Sequence, residues 1–569
     1  MTEHKKLTGY PSIDKPWLKY YSEEVTNVQM PSGSMYDYLK DCNKDAYDDL
    51  AITYFHRKIT YRNLIDSIDE AAAAFASLGV KQGNIVSLVL PNIPENVYCL
   101  YALNKLGAVA DFIDLRSKGE ALVRYLTETE AKVAVICDMF AENAFEIKDK
   151  TNIEHYIVVS AVESLNPIIR AMKKTKVNMP ENAFKWREFI KSGKGRRVSP
   201  TGDAESISCI FHTSGTTGHS KGAMFSNRGC NAMPLQSHYV PLKFERGKVM
   251  MNQVPPFLAF NIVCSLHLPL CKHMKIFMLP DYRSNEFAKR IVRAKANACL
   301  AGPADWGNFL ENEKLMKKKI DLSGLTTPLC GSDAISLEKK LAVEKVLAQK
   351  GFKGNLYEGY GMTEIGSAAC SNMPGHVEPK SIGVPFCFNT FCIWDTDNDV
   401  ELPYMEKGEI CMTGPTLMVG YYNNPEETSN ALRVHPDGIT WLHSGDIGHI
   451  DENGFIYIEG RIKRTIVRNE GFKISPFEVE KVIMALPDVE ACCVVGVSDK
   501  KAGFGQLPFA FFVAKQGVDI TEQAVEQHCK NELVEMYVPV GYMKLNEMLL
   551  TPNGKVDYRA LEKLAEEKQ

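Results

Sequence analysis

Ile207-Ser208-Cys209-Ile210-Phe211-His212-Thr213-Ser214-Gly215-Thr216-Thr217-Gly218-His219-Ser220-Lys221-Gly222 is the stretch on which the reading of this chain turns. An apolar run stops in a loop of glycines, hydroxyls and a single lysine. Glycine lets a backbone turn tightly and expose consecutive N–H groups, and the hydroxyls and lysine add donors and positive charge. Such a donor set suits a triphosphate. The spacing is not G-x-x-x-x-G-K-[ST], because Lys221 stands three residues after Gly218 and is followed by Gly222. A plain flexible turn has the same composition, so the surrounding sequence has to decide between the two.

Upstream of the loop, helical and strand patterns alternate. Tyr61 to Leu78 repeats at helical spacing, with Leu64, Ile65, Ile68, Ala71, Ala72 and Phe75 on one side. Ile85 to Leu90 reads as a buried strand stopped by Pro91. A helix over Glu95 to Leu106 and a strand over Ala108 to Ile113 follow, and then a second such pair, Glu120 to Glu130 and Lys132 to Cys137. This alternation predicts an α/β fold of mostly parallel, helix-covered sheets with ligands at the carboxyl ends of the strands. After Ser367 the texture changes to short strands and turns, predicting a β-rich subdomain over about 368–462. A further α+β unit begins near Arg464, with strands over Val489 to Val497 and Pro508 to Val513.

Composition narrows the function classes. The chain has 569 residues, enough for more than one domain, and a formal charge of −4. That balance gives no pull toward nucleic acid. The basic cluster Lys191, Lys194, Arg196 and Arg197 lacks interleaved aromatics and reads as a solvated connection. No apolar run reaches the roughly 20 residues of a spanning helix, and the polar start of the chain leads into no signal-peptide core. The 16 cysteines are scattered without a C-x-x-C pair, which predicts reduced thiols and a cytoplasmic protein.

Three further constellations lie downstream. Tyr360-Gly361-Met362-Thr363-Glu364 sets a hydroxyl beside a carboxylate at a strand end, a pair able to serve a phosphate oxygen and a Mg²⁺ ion together. Leu442-His443-Ser444-Gly445-Asp446, followed by Gly460-Arg461-Ile462-Lys463, offers an aspartate in a glycine turn for the two hydroxyls of a ribose. Thr551-Pro552-Asn553-Gly554-Lys555 puts a lysine on a tight turn near the end of the chain. Each taken singly is also a capped turn, a surface ion pair or a hairpin tip.

Together, and in this order, the four closely resemble the adenylate-forming superfamily: acyl-CoA synthetases, firefly-type luciferases and peptide-synthetase adenylation domains. The resemblance runs from about Ile59 to Leu561 and takes in Ile59-Thr60-Tyr61-Arg62-Asn63-Leu64, Leu106-Gly107-Ala108-Val109 and Gly471-Phe472-Lys473-Ile474-Ser475-Pro476. It is most like an acyl-CoA synthetase. The resemblance implies a large N-terminal domain over 1–462, a small mobile lid domain over 463–569 and a hinge at Lys463. It also implies that Thr213, Ser214, Gly215, Thr216, Thr217, Gly218 and Lys221 cradle the β- and γ-phosphates of ATP. Thr363 would hold the α-phosphate, Glu364 the Mg²⁺, and Asp446 with Arg461 the ribose. Gly331, Ser332, Asp333, Gly359, Tyr360 and Gly361 would frame adenine, and Phe257, Leu258, Phe260, Gly331 and Gly361 would line the acyl site. Lys555 would be the catalytic lysine, and the loop at Gly471 would serve thiolation by coenzyme A.

The chain departs from the family pattern in three places. Ser220 stands where proline is common, and the segment Arg464 to Glu470 carries one residue more than in many relatives. Leu258 occupies a position that carries histidine in many acyl-CoA synthetases and aspartate in amino-acid-activating domains. An amino-acid substrate therefore loses its anchor and an apolar acid is favoured, a medium- or long-chain fatty acid above all. Residues 556–569 are too few for a carrier domain, which favours free coenzyme A while leaving a separate carrier protein open as the alternative acceptor. The sequence leaves the oligomeric state open.

Overall fold

Two extended sheets dominate the computed structural model, which describes residues 7–165, 177–213, 221–312, 317–468, 473–501, 505–551 and 555–568. The first has eight strands in the spatial order Gly420–Tyr421, Lys221–Ser226, Ile207–Thr213, Val109–Phe112, Ile85–Val89, Val133–Cys137, His155–Val159 and Ala183–Lys185. Its pairs are parallel from Ile207–Thr213 to Ala183–Lys185, whereas Lys221–Ser226 runs antiparallel to both of its neighbours. The second has nine strands. Its central six, Leu50–Tyr54, Lys275–Met278, Val249–Asn252, Ala298–Ala301, Thr327–Cys330 and Tyr357–Tyr360, are parallel, and short antiparallel strands close both edges.

These strands form where unbroken apolar sequence allows burial on both faces. Val133–Cys137 is buried at every position, as are Val109–Phe112 and Ala298–Ala301. The intervening helices begin at capping residues: Thr60 accepts a hydrogen bond from the Asn63 N–H and starts Tyr61–Ser77, whose predicted apolar side is buried. The α/β expectation holds, and the predicted elements upstream of the loop are found with ends shifted by a residue or two. All 16 cysteines are free thiols, and only Cys42 and Cys492 are partly exposed. Among the described residues no helix is long and apolar enough to cross a membrane.

The chain divides into two compact units, 15–391 with 412–443 and 1–14 with 392–411 and 444–569. Both large sheets belong to the first. The second unit contains the antiparallel pairing of Asp446–Ile450 with Ile456–Arg461, and a three-stranded sheet of Val489–Ser498, Gln506–Ala514 and Gly541–Leu545. Alternation along Val489–Ser498 sends Val494 toward helices Pro476–Met484 and Glu522–Glu532. It sends Cys493, Val495 and Val497 toward Tyr558–Lys568, where Leu561 and Ala565 cover them.

Candidate active site

The strand–loop stretch that opens the sequence reading folds as an antiparallel pair. Thr213 ends one strand, Lys221 begins the next, and their Cα atoms are directly paired. The Thr213 hydroxyl donates to the Lys221 carbonyl at 3.4 Å. Ser214, Gly215, Thr216, Thr217 and Gly218 lie outside the described residues, so the structure places the two ends of the loop. The side chain of Lys221 is largely buried and forms an ion pair with Glu427, and its ammonium lies 5.1 Å from the centre of the Tyr421 ring.

Tyr421 links that lysine to the second constellation. Its hydroxyl donates to Glu364 Oε1 at 2.8 Å. Burial, and then the charge of Glu364, push the phenol above its ordinary range, which keeps the proton on the oxygen as donor. Glu364 is buried, and its carbonyl accepts the Met418 N–H at 2.9 Å. Thr363 and Glu364 sit in a single 3-10 turn just past the strand Tyr357–Tyr360, with Thr363 half-buried. Gly361 stands at the strand's end, where a Cβ would fall 2.4 Å from the Ser367 carbonyl oxygen. No side chain fits against that backbone. Gly361→Ala should therefore destabilise the protein by about 1–3 kcal/mol, read as a lower urea midpoint, and unchanged stability would show that the turn can open.

The residues expected around the acyl group converge in part. A Cβ on Gly331 would lie 3.4 Å from the Gly359 carbonyl and 4.0 Å from Phe260 Cζ, so Gly331, Gly359 and the Phe260 ring meet. Phe257 is buried beneath the Arg116 guanidinium, 5.2 Å from its ring centre, while Leu258 and Phe260 are half-exposed. Ser332 adopts a left-handed backbone with φ 74°, and the Asp333 carboxylate accepts the Ala334 N–H at 2.8 Å. Both follow the strand Thr327–Cys330, beside the parallel strand that carries Gly359 and Tyr360. A non-glycine residue in that conformation stores strain of the sort that gathers at binding sites.

In the second unit, Asp446 is buried and pairs with Arg461 across the strands, Nε to Oδ1 at 2.6 Å. Gly445, at φ 72°, gives its N–H to Glu409 at 2.8 Å, and Ser444 Oγ accepts the Asp446 N–H at 3.0 Å. Lys463 falls in the short turn Ile462–Arg464, and Arg464 on its far side is anchored. Arg464 pairs with Glu480, which also accepts the Val494 N–H at 2.8 Å, and its guanidinium lies 4.2 Å from the Tyr558 ring centre. Gly471 lies outside the described residues. Lys555 is exposed, and its N–H donates to Thr551 Oγ1 at 3.2 Å. Sequence reasoning missed Tyr421, Glu427, Glu409 and the anchors Arg464 and Glu480. Asn424 caps the helix Pro425–Ala431 that carries Glu427, and the Asn-Pro start of that helix is the one signal that was available.

The sequence profile of the AMP-binding enzymes matches residues 39–422, and that of the AMP-binding enzyme C-terminal domain matches residues 478–555. The chain belongs to the AMP-binding enzyme family. This AMP-binding enzyme is 28% identical to a long-chain-fatty-acid–CoA ligase of Bacillus subtilis, over 96% of its own length and 97% of the relative's. It is 26% identical to 4-coumarate–CoA ligase 1 of Solanum tuberosum, over 91% and 89% of the two chains. Among solved structures, ATP-bound MatB from Rhodopseudomonas palustris superposes with a TM-score of 0.79 at 22% identity, covering 94% of this chain and 99% of that one. The anthranilate CoA ligase AuaEII in complex with anthranoyl-AMP gives 0.78 at 21% identity, covering 95% and 99%. At such identities these structures speak for the fold.

Proposed function

We propose that this AMP-binding enzyme activates an apolar carboxylic acid, a medium- or long-chain fatty acid above all, and transfers it to the thiol of coenzyme A. The observation that carries the proposal is the bridge made by Tyr421. One residue bonds the buried carboxylate of Glu364 and underlies the ammonium of Lys221, setting an oxygen ligand and a cation side by side at strand ends. That pair matches a triphosphate with its divalent ion. Curated relatives along nearly the whole chain are named as acid–CoA ligases, which supports coenzyme A as acceptor. The half-exposed Leu258 and Phe260 support an apolar acid.

A carboxylate is a poor electrophile because its leaving group would be oxide. In the first half-reaction a carboxylate oxygen attacks the α-phosphorus of ATP and the bond to the β-phosphate oxygen breaks, releasing pyrophosphate and forming an acyl-adenylate. Two anions must meet, so the work is charge neutralisation and alignment. Thr213 and Lys221 would hold the β- and γ-phosphates, Thr363 the α-phosphate, and Asp446 with Arg461 the ribose. Glu364 suits Mg²⁺, since its carboxylate is a hard oxygen ligand already oriented by a neutral hydroxyl. The ion would supply further charge neutralisation on the phosphates. In the second half-reaction the thiol sulfur attacks the acyl carbon, loses its proton and expels AMP.

The domain over 463–569 is proposed as the element that moves between the steps. Lys463 sits between two fixed arginines, Arg461 held by Asp446 and Arg464 held by Glu480. A backbone rotation there would carry everything after it as one piece. Pyrophosphate release should require an acid when a series of carboxylic acids of increasing chain length is supplied, with AMP as co-product. A free CoA thioester should form when CoA is added. ADP as the product would overturn adenylation, and an acyl-adenylate that reacts only with a carrier's phosphopantetheine would replace the ligase by a carrier-loading enzyme.

A further inference from the structure

His212 stands one residue before Thr213, and the reaction just described gives it no task. Its Nε2 lies 2.7 Å from Asp111 Oδ1, with the imidazole 4% and the carboxylate 0% exposed. The other Asp111 oxygen accepts Ser87 Oγ at 2.9 Å and Thr129 Oγ1 at 3.1 Å. Asp111 is thus held by donors from two further segments, and His212 adds the third, on the adjacent strand. Burying an ion pair so completely is expensive unless its geometry is fixed, and here it is.

The other face of the imidazole is equally specific. Its Cα partner across the strands is Gly222, the residue after Lys221. A Cβ on Gly222 would fall 2.8 Å from Ile210 Cγ2 and 3.5 Å from His212 Cε1, so the glycine makes room for Ile210 and stands in contact range of the ring. The Tyr125 ring meets the imidazole edge to face at 4.7 Å. His212 Nδ1 and Glu128 Oε2 are both buried and lack hydrogen-bond partners. An apolar side chain would fill the same space, but it could not tie the end of this strand to Asp111.

We propose that His212, clamped by Asp111, is a positioning residue for ATP, fixing the Thr213–Lys221 pair at the mouth of the triphosphate loop. The inference rests on the reading that Thr213 and Lys221 hold the triphosphate. The charged and titratable groups facing the imidazole are Asp111 from the neighbouring strand and Glu128 and Tyr125 from the helix Gly119–Glu128. Arg124 acts on Glu128, and Glu130 and Tyr422 stand beyond. Burial alone would favour the neutral ring, but Asp111 and then Glu128 outweigh it and raise the imidazole above its ordinary value. A raised histidine keeps its charge to higher pH than a free one, and the charge is lost as pH climbs through the raised value.

Calorimetric titration of the full-length enzyme with MgATP tests the assignment. At pH 6.5, His212→Gln should weaken binding by about 10- to 100-fold, since small displacements of a binding group carry penalties of that size. The ratio of variant to wild-type Kd should fall as pH rises and the wild-type imidazole loses its charge; taking a ratio cancels the titration of the nucleotide. Asp111→Asn, which breaks the pair from the other side, should give the same profile and stands in should His212→Gln not fold. A ratio near one at pH 6.5, or one that does not change with pH, overturns the positioning role. Lys221→Ala separates the two layers: if it leaves Kd unchanged the triphosphate reading fails. If it weakens binding while His212→Gln does not, only the present inference fails.

Discussion

Lys555→Ala should abolish most acid-dependent AMP formation while leaving thiolysis of a supplied acyl-adenylate close to wild type. The role that the family resemblance implies for Lys555, an ammonium bridging the acid and the α-phosphate, would explain the asymmetry. In the adenylation step a carboxylate approaches a phosphate, and an ammonium between them stabilises charge that exists together only near the transition state. In thiolysis the nucleophile is a thiol, the leaving group is AMP, and no second anion has to be brought in. Removal of one such preorganised group costs about 100- to 1,000-fold in rate. The backbone N–H of Lys555 is fixed to Thr551 Oγ1 and its carbonyl accepts the Thr551 N–H at 2.6 Å, while the side chain is exposed. Pyrophosphate release measures the first half-reaction, and conversion of synthetic acyl-adenylate with CoA measures the second. An equal fall in both would assign the lysine to the architecture of the C-terminal domain instead.

The parts of this molecule legible in the sequence are those whose physics is local. Val133–Cys137 and Ile85–Val89 announce themselves because a strand buried on both faces must be apolar throughout. Tyr61–Ser77 follows from a period. Thr363, Glu364, Asp446 and Lys555 were marked by glycine-rich turns next to reactive side chains; Thr363 and Glu364 do lie in a turn just past a strand, whereas Asp446 lies inside the strand Thr440–Ile450 rather than in a glycine turn. What stayed hidden is joined across long separations or sits in elements too short to show a period. Gly420–Tyr421 is a strand of two residues, yet it puts the Tyr421 hydroxyl on Glu364, and Glu427 reaches Lys221 from 206 positions away. The Arg464–Glu480 pair beside Lys463 was likewise unreadable, because ion-pair partners carry no mark of each other in the sequence. The same holds for His212 and Asp111, which meet because two parallel strands happen to be neighbours.

Glu364→Gln should remove most Mg²⁺-dependent adenylation without unfolding the enzyme. The substitution keeps the size of the side chain and an oxygen for the Tyr421 hydroxyl, so the packing around the turn Thr363–Ile365 survives. It removes the negative charge, and with it the strongest oxygen ligand the turn offers to a hard cation. Metal ions at such centres contribute several kcal/mol of transition-state stabilisation, and about 1.36 kcal/mol is a factor of ten, so the rate should fall by about 100-fold or more. Two comparisons separate a lost ligand from a disturbed fold. Raising Mg²⁺ should restore part of the activity of Glu364→Gln, because a weakened site refills by mass action. Tyr421→Phe, which keeps the carboxylate but releases one of its oxygens, should cost far less and should not respond to Mg²⁺ in the same way. Activity of Glu364→Gln equal to wild type would overturn the metal-ligand assignment. A fall in Glu364→Gln that no Mg²⁺ concentration relieves would place the carboxylate's role in orienting Tyr421, and through it the ring beneath Lys221.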